Sequence, residues 1–257
     1  MTLEGKVVLV TGGAGGIGRA TVLALARAGA HVAINYATST AAAQETARLA
    51  ERAGSRALPV QADVTREPQV RAMMERVARE LGGLDGLVNN AGWTARVPHR
   101  QLEDLTDDIW DRVLATNLRA PFYCARAAVP YLEKRGGGAI VNITSVAGFT
   151  GTGSSMAYAA SKAGLNTLTR SLARALAPSR IRVNAVAPGL LRTDFGDGFI
   201  TEELLDQAAR VTPIGRTPTA DEVADAVLFL LAHPAMTGYT SVVDGGLFSL
   251  GPTDPRS

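Results

Sequence analysis

The chain has 257 residues, of which 46% are hydrophobic and 19% are charged, and its formal net charge is +2. This length supports one large α/β core, and the absence of a basic or acidic block argues against a nucleic acid or a membrane surface as partner. The N-terminal residues do not resemble a signal peptide, and no apolar run reaches transmembrane length. Cys124 is the only cysteine, so no internal disulfide can form, and we expect a reducing, cytoplasmic compartment.

Short apolar runs alternate with amphipathic segments along the whole chain. The runs predict strands at residues 7–10, 31–36, 57–60, 86–88, 139–143, 182–186 and 241–243. The amphipathic segments predict helices at residues 17–28, 41–52, 68–81, 109–132, 156–177, 202–210 and 220–231. Continuous apolar strands separated by helices are typical of a parallel sheet covered on both faces. The sequence therefore predicts a single-domain α/β fold over residues 1–257, a doubly wound parallel sheet that binds its ligands beyond the carboxyl ends of its strands.

Glycines cluster in residues 11–18, between the first predicted strand and the first predicted helix. They fit two registers, Gly12-Gly16-Gly18 and Gly13-Gly15-Gly18. In either register the chain turns sharply, and the amides at the start of the helix near Ile17 can meet phosphate oxygens. An ordinary tight turn is the alternative, but the position between a strand and a helix favours a dinucleotide site.

The end of the second predicted strand bears on the choice of dinucleotide. A carboxylate there would bind the ribose 2′-hydroxyl of NAD and repel the 2′-phosphate of NADP. The segment contains Asn35, Tyr36, Thr38 and Ser39, with no carboxylate before Glu45. We therefore predict NADP(H) as the preferred cofactor. No Arg or Lys occupies the segment to hold the extra phosphate, so NAD(H) stays an alternative.

Asp63 and Val64 follow the third predicted strand. The pair is predicted to contact the adenine of the dinucleotide. Asp63 is equally suited to cap a helix or to close a turn, since short acidic side chains accept bonds from nearby main-chain amides.

Tyr158 and Lys162 are four residues apart in a predicted helix, so they share one of its faces. A free tyrosine has a pKa near ~10, too high for efficient acid–base work at neutral pH, and a nearby ammonium is expected to lower it. A solvated surface pair has the same spacing. Ser145 follows the preceding strand at the edge where ligands bind, and its hydroxyl can bond a substrate carbonyl or simply begin a loop.

These motifs, in this order, resemble the short-chain dehydrogenase/reductase family. The resemblance runs from Gly5 to Gly246. It rests on residues 11–18, 89–92 and 188–189 and on the side chains of Ser145, Tyr158 and Lys162. It implies a Rossmann-like fold, with Tyr158 as general acid/base and Ser145 orienting the substrate carbonyl. Lys162 would bind the nicotinamide ribose and lower the pKa of Tyr158, and Asn117 would hold a water in a proton relay with Lys162.

The resemblance also implies further cofactor contacts and an overall activity. The implied contacts are Asn90, Ala91, Gly92, Pro188, Gly189, Leu191 and Thr193. The implied activity is an NADP(H)-dependent interconversion of a carbonyl and a secondary alcohol, with a 3-oxoacyl compound among the candidate substrates, in a homotetramer or homodimer. The alternatives are an NAD-dependent alcohol or sugar dehydrogenase and a non-catalytic, dinucleotide-binding regulatory protein.

The sequence contains fewer indications of the substrate-binding residues than of the cofactor site. A substrate loop is expected near residues 190–212, with two glycines in residues 195–199 as hinges. The candidate pocket residues are Trp93, Phe149, Ser155 and Leu190, with Arg96, Arg100 and Arg192 as candidates for an anionic substrate or as solvated surface groups. No metal is expected, because His31, His99 and His233 lack ligand spacing. His99 fits either a solvated loop or the mouth of the substrate site.

Overall fold

The computed structural model describes residues 2–193 and 200–252. Within these ranges the sheet has seven strands in the order β3-β2-β1-β4-β5-β6-β7, and every neighbouring pair is parallel. The strands are β1 (Val7–Val10), β2 (His31–Tyr36), β3 (Ala57–Gln61), β4 (Gly86–Asn89), β5 (Gly138–Ile143), β6 (Ile181–Pro188) and β7 (Thr240–Val243). The strand order reverses between β1 and β4, which creates a crevice at the carboxyl edge. The predicted doubly wound, Rossmann-like sheet is confirmed.

Helices cover both faces of the sheet. They are α1 (Gly16–Arg27), α2 (Thr40–Arg52), α3 (Glu67–Leu81), α4 (Asp107–Leu114), α5 (Ala120–Lys134), α6 (Ala147–Thr150), α7 (Met156–Leu176), α8 (Glu202–Val211), α9 (Ala220–Ala232) and α10 (Leu247–Leu250). Leu9, Leu87 and Ile140 pack under α3 and α5 on one face, while Val8 and Val88 pack under α1 and α9 on the other. This alternation explains why the central strands are apolar at consecutive positions.

The predicted helix at residues 109–132 is not one regular helix. A π-helical turn, Ala115–Arg119, separates α4 from α5, and the N–H of Ala120 bonds to the carbonyl of Ala115, five residues back. Pro121 has no N–H to donate to the carbonyl of residue 117, as a regular α-helix would require. The proline therefore accounts for the local change in pitch. Such turns are frequent at functional sites.

The other predicted elements end within a few residues of their observed bounds. The short helices α6 and α10 were not predicted, because four residues carry too little periodicity to be seen in a sequence. In the part of the chain that the structure describes, no helix combines the length and the apolar character needed to cross a bilayer.

Candidate active site

One cavity of about 1300 Å³ runs along the carboxyl edge of the sheet. It brings together nearly all of the residues predicted from the sequence. The predicted residues that line it are Gly12, Gly15, Gly16, Ile17, Asn35, Tyr36, Thr38, Ser39, Asp63, Val64, Asn90, Ala91, Gly92, Ser145, Tyr158, Lys162, Pro188, Gly189, Leu191 and Thr193. Gly18 and Asn117 do not line it, and both are treated below.

The glycine-rich turn is shaped to accept a phosphate group. Gly12 has a φ of +62°, which favours glycine. Gly15 is the N-cap of α1 and offers no side chain to the amides of the first turn, and a Cβ on it would meet nothing within 4 Å. The first turn of α1 also carries no carboxylate. Its main-chain amides and the positive end of the helix dipole thus suit an anion such as a pyrophosphate.

Gly18 has a packing role. A Cβ at this position would overlap the carbonyl oxygen of Gly12 and the amide nitrogen of Asn90. Because only a hydrogen fits there, α1 can lie directly against the turn that follows β1. Gly18 does not line the cavity, and its predicted contact with the cofactor stays a prediction.

Two asparagines hold the turn in place through main-chain groups. The Nδ2 of Asn90 donates to the carbonyls of Thr11 and Gly12, at 2.9 and 3.1 Å. The Oδ1 of Asn35 accepts from the N–H of Gly12 at 3.3 Å, and its Nδ2 donates to the carbonyl of Ala62 at 3.0 Å. The turn is thus fastened to the ends of β2, β3 and β4 before any ligand binds.

Asp63 closes a turn on the cavity wall. Its Oδ1 accepts from the N–H of Thr65 at 2.9 Å and from the Thr65 hydroxyl at 2.7 Å. The N-cap of α3 is Arg66, so the alternative in which Asp63 caps that helix is wrong. The turn interpretation is confirmed, and Asp63 and Val64 both face the cavity.

Ser145, Tyr158 and Lys162 converge at the carboxyl end of β5. The hydroxyl of Tyr158 is hydrogen-bonded to the side chain of Ser145. Lys162 is only 4% exposed, and its Nζ donates to the carbonyl of Ile143 at 2.8 Å. The same Nζ lies 5.6 Å from the centroid of the Tyr158 ring. At the start of α7, Ser155 caps the helix by accepting from the N–H of Tyr158 at 3.2 Å.

Asn117 lies in the π-helical turn and is fully buried behind the cavity wall. Its Oδ1 accepts from the N–H of Trp93 at 2.8 Å, and its Nδ2 donates to the carbonyl of Trp93 at 2.9 Å and to the Ser161 hydroxyl at 3.2 Å. Both amide protons are in use, so the side chain joins the loop after β4 to α7, one residue before Lys162. The predicted relay water would have to donate to a carbonyl oxygen of Asn117.

Comparison with known proteins identifies the family. The family model described as enoyl-(acyl carrier protein) reductase matches residues 12–248. A cis-4-hydroxycyclohexanecarboxylate dehydrogenase of Sinomonas cyclohexanicum is 43% identical over 243 residues, which cover 94% of this chain and 96% of the relative. A 3-oxoacyl-[acyl-carrier-protein] reductase of Staphylococcus aureus is 39% identical over 245 residues, covering 95% and 98%. The chain belongs to the short-chain dehydrogenase/reductase family.

Solved structures agree with this membership. A Burkholderia xenovorans protein assigned to the short-chain dehydrogenases/reductases is 40% identical, with a TM-score of 0.88 over 94% of this chain and 97% of that chain. Levodione reductase is 30% identical, with a TM-score of 0.90 over 96% and 99%. The protein is therefore an enzyme of the short-chain dehydrogenase/reductase family, as the order of its motifs predicts.

The acidity of Tyr158 differs from the sequence-based expectation for this short-chain dehydrogenase/reductase. Burial raises the pKa of Tyr158 to about 12, and the hydrogen bond with Ser145 opposes this rise without reversing it. Burial also lowers the pKa of Lys162 to about 8. The net shift of the Tyr158 pKa is therefore upward, because burial would strip the phenolate of its hydration. The ammonium of Lys162 donates to the carbonyl of Ile143, and its expected lowering of the Tyr158 pKa stays a prediction.

The structure separates the candidate substrate residues. Trp93 and Leu190 line the cavity. Phe149 does not, since its ring packs against that of Phe248 with centroids 5.1 Å apart, and Ser155 is a buried helix cap. Neither side chain lines the cavity. The predicted hinge glycines, within residues 195–199, lie outside the described residues.

The charged candidates also divide into residues that line the cavity and residues that do not. Arg96 and His99 line the cavity, whereas Arg100 does not. Arg192 forms an ion pair with Glu202 and lies off the cavity wall, so it is not available to a substrate. Arg112 of α4 also lines the cavity and was missed, because no motif surrounds it and its approach to Trp93 depends on how α4 packs.

Proposed function

We propose that this enzyme interconverts a carbonyl and a secondary alcohol by hydride transfer with NADP(H), using Tyr158 as general acid/base. The observation that carries this proposal is the Ser145–Tyr158 hydrogen bond in the same cavity as the glycine-rich turn. A bound nicotinamide dinucleotide would supply the hydride for reduction and accept it for oxidation. The chain itself has to hold that cofactor, orient the carbonyl and move one proton.

The three polar side chains have distinct roles in the proposed reaction. Ser145 donates a hydrogen bond to the substrate oxygen and holds it beside Tyr158. With its pKa raised to about 12, the phenol of Tyr158 is protonated at neutral pH and is ready to give its proton to that oxygen during reduction. Lys162 contributes a buried positive charge next to the phenolate that remains and binds the nicotinamide ribose.

The preference for NADP(H) is supported by the end of β2. Tyr36, Thr38 and Ser39 line the cavity there, and no carboxylate stands among them to repel a 2′-phosphate. Ser39 lines the cavity, and its side chain makes no capping bond to α2. Among the described residues, no Arg or Lys lines this part of the cavity, which keeps NAD(H) as the second candidate.

The substrate loop, the assembly and the compartment complete the proposal. We expect residues 190–212 to carry the substrate loop, and in the described part of this range Leu190, Ile200 and Leu204 line the cavity. The assembly is a homotetramer or a homodimer, and the compartment is the cytoplasm. The remaining cofactor contacts are those expected on the cavity wall at Pro188, Gly189, Leu191 and Thr193.

The test is a panel of ketones and secondary alcohols, assayed with NADP(H) and NAD(H), on the wild type, Tyr158→Phe and Tyr239→Phe. Tyr239 is an exposed tyrosine away from the cavity and serves as the matched control. We expect Tyr158→Phe to lower kcat by about 100-fold or more, within the range for removal of a general acid, while Tyr239→Phe keeps the wild-type rate. Equal rates in all three would remove Tyr158 from the reaction. Dinucleotide binding without turnover on any compound would favour the regulatory alternative.

A further inference from the structure

The substrate half of the cavity is positively charged. Arg96, His99 and Arg112 line it beside Trp93. In the described part of the chain, Asp63 is the only carboxylate on the cavity wall. Asp63 follows β3, and the sheet order places β3 on the far side of β1 from the strand that leads to Ser145. No described carboxylate therefore offsets the charge near the reacting groups.

Arg112 is exposed, and its guanidinium is positioned by Trp93. Its guanidinium carbon lies 3.9 Å from the centroid of the Trp93 ring, a close stacking distance. The main chain of Trp93 is itself clamped on both sides by the buried amide of Asn117. This chain of contacts orders the arginine before a ligand arrives, which lowers the entropy lost on binding.

The edges of the Arg112 guanidinium have no partner among the described residues. It makes no hydrogen bond and no ion pair there, although Asp108 lies one turn earlier on α4 and Asp111 is its neighbour in the chain. Stacking occupies the flat face of the guanidinium and leaves its N–H groups free to donate two parallel hydrogen bonds. The spacing of these donors matches two oxygens of a carboxylate or a phosphate.

His99 provides a second polar group on the same wall. Its Nε2 is buried and has no hydrogen-bond partner within the described ranges. Because Nε2 is closed off from solvent, His99 contributes to the cavity wall through its other atoms. Arg96, on the loop that carries His99, is exposed and adds a second positive charge at the mouth.

We propose that Arg112, with Arg96, binds an oxyanion on the substrate and thereby selects carbonyl compounds that carry a carboxylate or a phosphate away from the reacting carbon. This inference rests on the proposed function of the same cavity. It adds the substrate class: keto acids, or thioesters whose carrier arm ends in a phosphate. The carboxylate of a keto acid and the phosphate of a carrier arm both present anionic oxygens to the guanidinium. The experiment therefore tests each of them in a separate arm.

The first arm compares kcat/KM for 4-oxopentanoate and 5-oxohexanoate with kcat/KM for their methyl esters. The second compares acetoacetyl-4′-phosphopantetheine with acetoacetyl-pantetheine. We expect wild type to prefer the anion in at least one arm, and Arg112→Gln to reduce that preference about 10- to 100-fold, the range for one charge-assisted contact. Arg119→Gln is the matched control, since Arg119 stacks on Tyr123 outside the cavity, with 5.9 Å to the ring centroid. It should keep the wild-type preference.

An unchanged anion preference in both arms for Arg112→Gln would overturn the inference, as would a wild type that prefers the neutral partner in both. Arg112→Lys keeps the positive charge but cannot form two parallel hydrogen bonds to one oxyanion. We expect its preference for the anionic substrate to lie between that of wild type and that of Arg112→Gln. Circular dichroism and the dissociation constant for the dinucleotide establish that each variant is folded.

A separate binding readout distinguishes this inference from the proposed function. Tryptophan emission is followed while 5-oxohexanoate and its methyl ester are added, because Trp93 stacks on Arg112. If wild type turned over no ketone, the proposed function would fail, yet a weaker dissociation constant for 5-oxohexanoate in Arg112→Gln would still support the anion site. Equal dissociation constants for 5-oxohexanoate in wild type and Arg112→Gln would overturn the proposed anion site.

Discussion

The buried ammonium of Lys162 donates a 2.8 Å hydrogen bond to the main-chain carbonyl of Ile143, the last residue of β5. This bond joins α7 to the end of the central strand that leads into Ser145. Tyr158 lies one helical turn before Lys162, and its phenol is hydrogen-bonded to Ser145. Desolvation by this burial lowers the pKa of Lys162 to about 8.

The pH dependence of carbonyl reduction follows from these two pKa values. Below pH 8 Lys162 is positively charged, and Tyr158, with its pKa at about 12, is protonated throughout the neutral range. We expect log kcat/KM for reduction to be level from pH 6 to 7 and to fall as Lys162 loses its proton near pH 8, because the free enzyme's ionisations govern this quantity. Steady-state rates from pH 6 to 10 measure it. A level profile to pH 10, with unchanged dinucleotide binding, would separate Lys162 from the chemical step.

Gly148 allows α6 to lie on the main chain of α7 beside Lys162. A Cβ on Gly148 would be 2.7 Å from the carbonyl carbon of Lys162 and 2.8 Å from the nitrogen of Ala163. We expect Gly148→Ala to lower the free energy of unfolding by about 1–3 kcal/mol, as overpacking does, and kcat by about 100-fold through displacement of the catalytic side chains. Urea unfolding and steady-state rates measure the two effects.

Thr150→Ala provides the control for Gly148→Ala. Thr150 is on the same short helix, but it is exposed, and its hydroxyl bonds to Thr152. Its replacement should leave both quantities near wild type. If Gly148→Ala unfolds and turns over like Thr150→Ala, the close packing of α6 on α7 is not needed for the site.

The fold was predictable because its central strands are buried on both faces. Residues 7–10 and 31–36 are apolar at nearly every position, and glycines or amphipathic segments separate such runs. Tyr158 and Lys162 were predictable as neighbours because the i, i+4 spacing of a helix is a local property. Their position beside the glycine-rich turn followed from the rule that parallel strands end at one edge.

Other parts of the site depend on contacts that a sequence does not display. The amide of Asn117 clamps Trp93, 24 residues away, and Arg112 reaches the cavity only because α4 packs beside that loop. The pKa of Tyr158 depends on how deeply the phenol is buried, which spacing from Lys162 cannot give. Pro121 was the one local signal for the π-helical turn, since proline removes a helical N–H.

Cofactor preference can be reversed at the end of β2. Tyr36 is the last residue of β2 and lines the cavity. In Tyr36→Asp the new carboxylate would accept a hydrogen bond from a ribose 2′-hydroxyl and repel a 2′-phosphate. We expect the ratio of kcat/KM for NADPH over NADH to fall by about 10-fold or more, in keeping with one charge-assisted hydrogen bond.

Gln44→Asp, an exposed position on α2, makes the same charge change away from the cavity and should keep the wild-type ratio. A wild type that already uses NADH better would contradict the proposed preference, and an unchanged ratio in Tyr36→Asp would show that this position does not contact the ribose.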